Sequence, residues 1–299
     1  MLPHAQILNI FMQRIFRRVI FLFVIAFMTF ALVASSGISR RSLLTENPTL
    51  TSCTEESASN CQPQAEAPPE AAVAYAAVIP YVPDPQQPPK ERFIGAITDK
   101  LPMIPQPGTL DYILLRSYGA VFATEHPEVK LPPKLIFSNE LQTKQFQASL
   151  NLVKINGSSS CMLQKAAAQA LNQARSQVAI SLRSGNGGSD CTRSFATTYR
   201  FWRRYAKPNT LERVRRGEET AILSIVAPPG ASQHLWGLAV DLQVSNSLQR
   251  QVLNNYGWFQ TVEKDTPHWT YVGLEKAQMS NYGFQAKVIS GITYWITPL

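Results

Sequence analysis

The stretch Ser232-Gln233-His234-Leu235-Trp236-Gly237-Leu238-Ala239-Val240-Asp241, followed by Asp265-Thr266-Pro267-His268-Trp269, constrains this chain more than any other. Only four histidines occur in 299 residues, and two of them fall with two carboxylates in short segments whose apolar residues alternate like strands. Across residues 238–242, Asp241 shares a face with Ala239, with Leu238, Val240 and Leu242 opposite. Across 268–272, His268, Thr270 and Val272 share one face and Trp269 and Tyr271 take the other. A carboxylate in the middle of Leu-Ala-Val-Asp-Leu is costly to bury unless a cation faces it. Gly237, close after His234, is where a backbone can turn or approach another closely. His234, Asp241 and His268 together make a tetrahedral zinc set with three protein ligands and one open position.

Such a centre acidifies a water for attack on an amide carbonyl and polarises that carbonyl. A general base must stand beside the water without ligating the ion. Asp265, three residues ahead of His268 and stiffened by Pro267, is assigned that task, with Glu263 as the second candidate. A fixed cation steadies the oxyanion of the attacked carbonyl, and Arg183, following the strand expected at 178–182, is the candidate. Ser232 lacks the second glycine of a nucleophile elbow, so its hydroxyl is read as orienting the site by hydrogen bonding. Trp236, Trp269 and Tyr271 are candidates for lining a substrate groove, and His126 reads as a solvated loop residue.

The first 90 residues have another composition. Arg14, Arg17 and Arg18 precede the uncharged apolar run of residues 19–34, and no acidic residue occurs before Glu46. This order is that of an export signal or membrane anchor, residues 1–35, which puts the rest of the chain in the periplasm or outside the cell. Residues 36–90 are rich in Ser, Thr, Glu, Gln, Ala and Pro and bury too little apolar surface to order, so they read as a disordered linker. The formal charge of +8 includes the three N-terminal arginines. No basic run with interleaved aromatics suggests nucleic acid; the charge reads chiefly as solubility, with a mild pull toward an acidic cell-wall polymer as the alternative. The four cysteines of an exported chain pair most simply as Cys53 with Cys61 and Cys161 with Cys191.

Residues 91–160 form a lead-in that packs on the domain of 161–299. Helices are expected at 140–152, 161–178, 194–206 and 248–255, the last stopped by Gly257, and the charged run 212–219 reads as a connection. The sum is an α+β domain: a short antiparallel sheet with flanking helices, polar residues on its concave face.

These residues resemble the zinc peptidases of peptidoglycan typified by the D-alanyl-D-alanine carboxypeptidases of vancomycin-resistance type, in the lysostaphin, D-Ala-D-Ala and hedgehog group. The signature Ser-x-His-x-x-Gly-x-Ala-x-Asp is met by Ser232, His234, Gly237, Ala239 and Asp241. Its second part is met by Asp265, His268 and Trp269, with Tyr256-Gly257-Trp258 ahead of them. The resemblance covers about residues 178–273 and implies His234, Asp241 and His268 as zinc ligands and Asp265 as base. It also implies a hydrolase of the terminal D-Ala-D-Ala bond of peptidoglycan stem peptides, working at the cell wall. Carboxypeptidases of the group usually carry Glu where Asp265 stands. The Asp-x-Pro-His-aromatic form looks more like relatives that cut between L-alanine and D-glutamate, so an endopeptidase is the alternative, and a non-catalytic wall-binding module a third reading. Around Arg183 only the Arg and the following Ser184 carry over.

Overall fold

Cross-strand pairing of two five-residue-or-shorter strands fixes the centre of this molecule. The computed structural model describes residues 81–299, Asn186 excepted. The N-terminal signal or anchor and the Cys53–Cys61 pair therefore lie outside the described residues, as does most of the linker. Among the described residues no helix is long and apolar enough to cross a membrane.

In chain order the lead-in contributes α1 (Pro89–Ile97), α2 (Leu110–Tyr118) with a 3-10 turn (Gly119–Ala123), α3 (Glu140–Ala148) and strand β1 (Leu152–Lys154). There follow β2 (Met162–Gln164), α4 (Lys165–Gln177), β3 (Ser181–Leu182), α5 (Phe195–Tyr205) and α6 (Thr210–Arg215). A 3-10 turn (Gln233–Trp236) leads into β4 (Ala239–Gln243), then α7 (Ser247–Asn255), β5 (Trp258–Phe259), β6 (His268–Tyr271), α8 (Lys276–Asn281) and the hairpin β7 (Gln285–Ile289) and β8 (Ile292–Ile296). The main sheet is antiparallel with strand order β3-β4-β6-β5. The arrangement is mixed α and β with small antiparallel sheets, as expected.

Local chemistry explains the elements next to the sheet. In α4 the residues Ala166, Ala167, Ala170, Leu171 and Ala174 recur at helical spacing and are buried. Small side chains there let the helix axis come close to its neighbours. Asn246 and Gln249 close a capping box at the start of α7, each side chain bonding the other's backbone. The three bulky indoles Trp236, Trp258 and Trp269 are fully enclosed, and Phe93, Leu114 and Phe122 of the lead-in belong to the same core cluster. Folded contacts reach back to Tyr81, whose ring packs edge-on against Tyr282.

Several expected boundaries move. Residues 162–164 are not the first turn of a helix but β2, because their backbone pairs with β1 and the amide of Gln164 donates to the carbonyl of Gly237. Cys161 thus anchors a strand rather than a helix start. The strand expected at 178–182 shrinks to β3, since only Ser181 and Leu182 find partners in β4. The charged run after Pro208 begins in α6, supported by ion pairs such as Arg215 with Glu212.

Gly257 joins α7 to β5 with φ +75°, and its carbonyl accepts from the amides of Val272 and Gly273. A Cβ added there would lie 2.8 Å from Cα of Gly273. Strain and clash act together. Gly257→Ala is expected to lower Tm by at least about 2 °C in a thermal melt, and an unchanged Tm would contradict this account of the turn.

Candidate metal centre

In the β4–β6 ladder Asp241 stands directly opposite His268 and Ala239 opposite Thr270. Residues facing each other across a ladder share one side of the sheet. His234 comes to the same place from the 3-10 turn before β4. That turn ends at Gly237 in a left-handed conformation, φ +67°, where a Cβ would press within 3.0 Å of Leu152 and 3.3 Å of the Gln164 backbone.

The three side chains converge. Nε2 of His234 lies 3.2 Å from Nδ1 of His268, and Oδ1 of Asp241 lies 3.3 Å from the first and 3.6 Å from the second. Metal bonds of about 2.0–2.1 Å at tetrahedral angles place ligand atoms about 3.3–3.4 Å apart. The observed triangle therefore fits a zinc-sized cation.

The far side of each ring decides its proton. Nδ1 of His234 is 2.9 Å from the carbonyl oxygen of Cys191, a pure acceptor, so that nitrogen donates. Nε2 of His268 is 2.7 Å from Oε1 of Gln233, while Nε2 of that amide donates to the carbonyl of Tyr118. The amide is thereby fixed with its oxygen toward His268 and toward the hydroxyl of Thr270. With a proton placed outward on each ring, the inward nitrogens are free to offer lone pairs beside a carboxylate oxygen. Burial, helped by Arg193 and opposed by Asp241, pulls His234 down to about 4, which keeps it neutral at pH 7 as a ligand must be. Burial pushes Asp241 up, but the charged forms of His234 and His268, together with the Arg193 guanidinium, outweigh it and hold the carboxyl well below the usual range.

Residues 189–193 frame this triangle. The carbonyl of Asp190 accepts from the amide of Asp241 at 2.8 Å, and the amide of Arg193 donates to the carbonyl of His234. The Arg193 guanidinium bonds Oδ2 of Asp241 and the carbonyl of Ser189. One oxygen of Asp241 is thus taken by arginine and the other left to the two imidazoles. A disulfide between Cys191 and Cys161 ties the segment to β2, as the cysteine positions led one to expect.

Asp265 and Ser232 line the same cleft as the three converging residues. Burial raises the Asp265 carboxyl to about 6, with Asp241 adding to the shift and His268 and Arg193 opposing it. Arg183 lies on the rim, its amide donating to the carbonyl of Asp241 and its carbonyl accepting from Gln243. Opposite, Phe201 and Tyr205 of α5 and the exposed Ile225 form an apolar wall.

Four expected residues stand elsewhere, among them Tyr271, which is buried against Trp258 rather than lining the cleft. Glu263 is outside this cleft, its carboxylate held 2.8 Å from Nζ of Lys287. Trp236 and Trp269 are core rather than groove residues: the first packs edge-on against Phe122, and the second points to the sheet face opposite His268. Gln233 and Arg193 were not anticipated. Gln233 sits inside the recognisable motif, but only the fold reveals which carbonyl locks its amide. Arg193 is 48 residues from its partner Asp241 in sequence, and no local pattern announces that pair.

With this geometry the three side chains could hold a metal ion. Residues 160–291 match the family model of VanY, D-alanyl-D-alanine carboxypeptidase. The resemblance to the vancomycin-resistance type of peptidoglycan peptidase is thereby shown over the region that carries the whole triangle. Solved structures similar to the chain include the vancomycin-resistance D,D-dipeptidase VanXYg with a D-Ala-D-Ala phosphinate analogue, at TM-score 0.33 and 15% identity over 48% of this chain and 71% of that one. A mutant of the vancomycin-resistance D,D-pentapeptidase VanY from a VanB-type cassette, in complex with Zn(II), is similar at TM-score 0.31 and 18% identity, covering 46% and 86%. The LD-carboxypeptidase LdcB is similar at TM-score 0.29 and 19% identity, covering 44% and 72%. Among curated protein sequences none matches the chain.

Removing the amide that orients His268 tests the wiring. Gln233→Ala is expected to weaken zinc binding about 10- to 100-fold in competition with a chromogenic chelator. Wild-type affinity in that variant would mean that His268 needs no such support.

Proposed function

We propose that this chain is a zinc-dependent D,D-carboxypeptidase that hydrolyses the terminal D-Ala-D-Ala bond of peptidoglycan stem peptides. The observation that carries the reading is the triangle of two imidazole lone pairs and one carboxylate oxygen, all within 4.8 Å of one another, at the floor of an open cleft. The family match over the same residues supports the substrate class.

When bound, zinc supplies Lewis acidity that acidifies water and polarises the scissile carbonyl. The chain's own residues do the rest. The Asp265 carboxylate takes the proton of the attacking water and passes it to the leaving amine. A value raised by burial suits that exchange, and a cation in the triangle draws it down again. Arg193 is committed to Asp241 and Ser189, so it positions a ligand rather than substrate. Arg183 forms no ion pair among the described residues and supplies the cleft's cation for the oxyanion. Gln233 and the Cys191 carbonyl hold the two rings in one tautomer each. The wall of Phe201, Tyr205 and Ile225 excludes water from one side of the peptide.

The Asp265-Thr266-Pro267-His268-Trp269 sequence favours a second reading, hydrolysis of an L-Ala-D-Glu or cross-link bond. Mass analysis of the fragments separates the two. A wall-binding module without turnover is disfavoured because Asp265 is present in the cleft. The arginines and apolar run of residues 14–34 support a periplasmic or external location, by a signal or anchor.

Asp265→Asn is expected to lower kcat on a muramyl pentapeptide by about 10²- to 10⁴-fold, while zinc content stays at the wild-type level. D-alanine release that survives this substitution, or thorough removal of metal by chelator, contradicts the mechanism.

A further inference from the structure

Helix α5 carries the sequence Phe-Ala-Thr-Thr-Tyr-Arg-Phe-Trp-Arg-Arg-Tyr, and only part of it is used by the cleft. Thr198 and Trp202 are buried, and Phe201 and Tyr205 reach the cleft wall. Arg200, Arg203 and Arg204 are exposed, as are Tyr199 and Tyr205, at 47% and 49%. From Ser194 to Lys207 there is no acidic residue. None of these three arginines forms an ion pair among the described residues. Their neighbours in and just after α6 differ: Arg213, Arg215 and Arg216 each meet Glu212, Glu218 or Glu219. The acid that touches α5, Glu140, bonds the amide of Ala196 at the helix's other end.

The three guanidinium groups are also arranged. Arg200 lies 5.5 Å over the ring of Phe201, Arg203 5.9 Å over Tyr199 and Arg204 5.6 Å over Tyr205. Stacking on rings limits the freedom a long side chain would lose on gripping an anion. Cations in the last turn complement the helix dipole, but Arg200 lies in the middle of α5, so the dipole does not account for the set. Phe201 also contacts Arg193, at 5.0 Å, which in turn holds Asp241. The arginine ledge is therefore continuous with the wall of the candidate metal centre.

We propose that this ledge is a docking surface for polymeric peptidoglycan, on which the arginines take carboxylates of neighbouring stem peptides and the exposed tyrosine rings stack against sugar faces. The inference rests on the peptidoglycan reading above and adds to it a preference for the polymer over a free peptide. Planar guanidinium groups match carboxylates in two-point hydrogen bonds. Flat exposed rings beside them suit a partner that is both anionic and carbohydrate. A field of three unneutralised cations also draws an anionic polymer toward the cleft, more strongly at low salt.

The test uses the purified full chain and the triple variant Arg200→Gln, Arg203→Gln, Arg204→Gln, in which glutamine keeps the helix propensity. Co-sedimentation is measured with sacculi freed of phosphodiester polymers by acid, alongside kcat/KM on a soluble muramyl pentapeptide. We expect binding to stripped sacculi to fall about tenfold or more in the variant, wild-type binding to weaken as salt rises, and kcat/KM on the soluble peptide to stay within about twofold. Undiminished binding of the variant overturns the proposal. So does a loss confined to untreated sacculi, which would assign the ledge to phosphodiesters. A chain that turns over no pentapeptide refutes the enzymatic reading without touching the sedimentation result.

Discussion

Two imidazole nitrogens that face each other at 3.2 Å, each with its proton on the far side, are the constraint on which this structure turns. Neither can donate to the other, because the Cys191 carbonyl claims the proton of one ring and the Gln233 amide oxygen that of the other. A carboxylate oxygen completes the triangle. Three electron-rich atoms so close repel one another unless a positive charge lies between them. The arrangement is costly as a piece of core and sensible as a cation site.

The rest of the fold holds that triangle in place. Antiparallel pairing sets Asp241 across from His268, and Gly237 bends the chain so that His234 joins them. The 189–193 segment grips both sides: it accepts from Asp241 and from the His234 ring, and donates to the His234 backbone and the Asp241 carboxylate. A disulfide pins this segment to β2, and the Asp190 carboxylate accepts from the amide and hydroxyl of Ser184, steadying the turn after Arg183. The three candidate ligands and their supports are therefore one connected network rather than separate residues.

Residues 232–241 and 265–269 made the triangle legible in the sequence, because period-two alternation tells which side chains share a face and a lone carboxylate among aliphatics demands a partner. The antiparallel sheet was legible for the same reason, and the Cys161–Cys191 bridge from the placing of four cysteines in a chain read as exported. What escaped was tertiary. Trp236 and Trp269 look alike in sequence whether they line a groove or fill a core, and only the packing against Phe122 and the opposite sheet face separates the two. Glu263 and Asp265 are two residues apart, yet Lys287, from the C-terminal hairpin, draws the first away from the cleft. Arg193 answers to a partner far along the chain. Strand β2 looked like a helix start because its pairing with β1 has no local signature.

The most direct measurement is zinc-edge X-ray absorption on the purified protein. One zinc per chain is expected, with two imidazole nitrogens and light oxygen ligands at about 2.0–2.1 Å. A protein that holds no stoichiometric zinc after purification in its presence, or holds it through sulfur or through a single imidazole, would contradict the central claim.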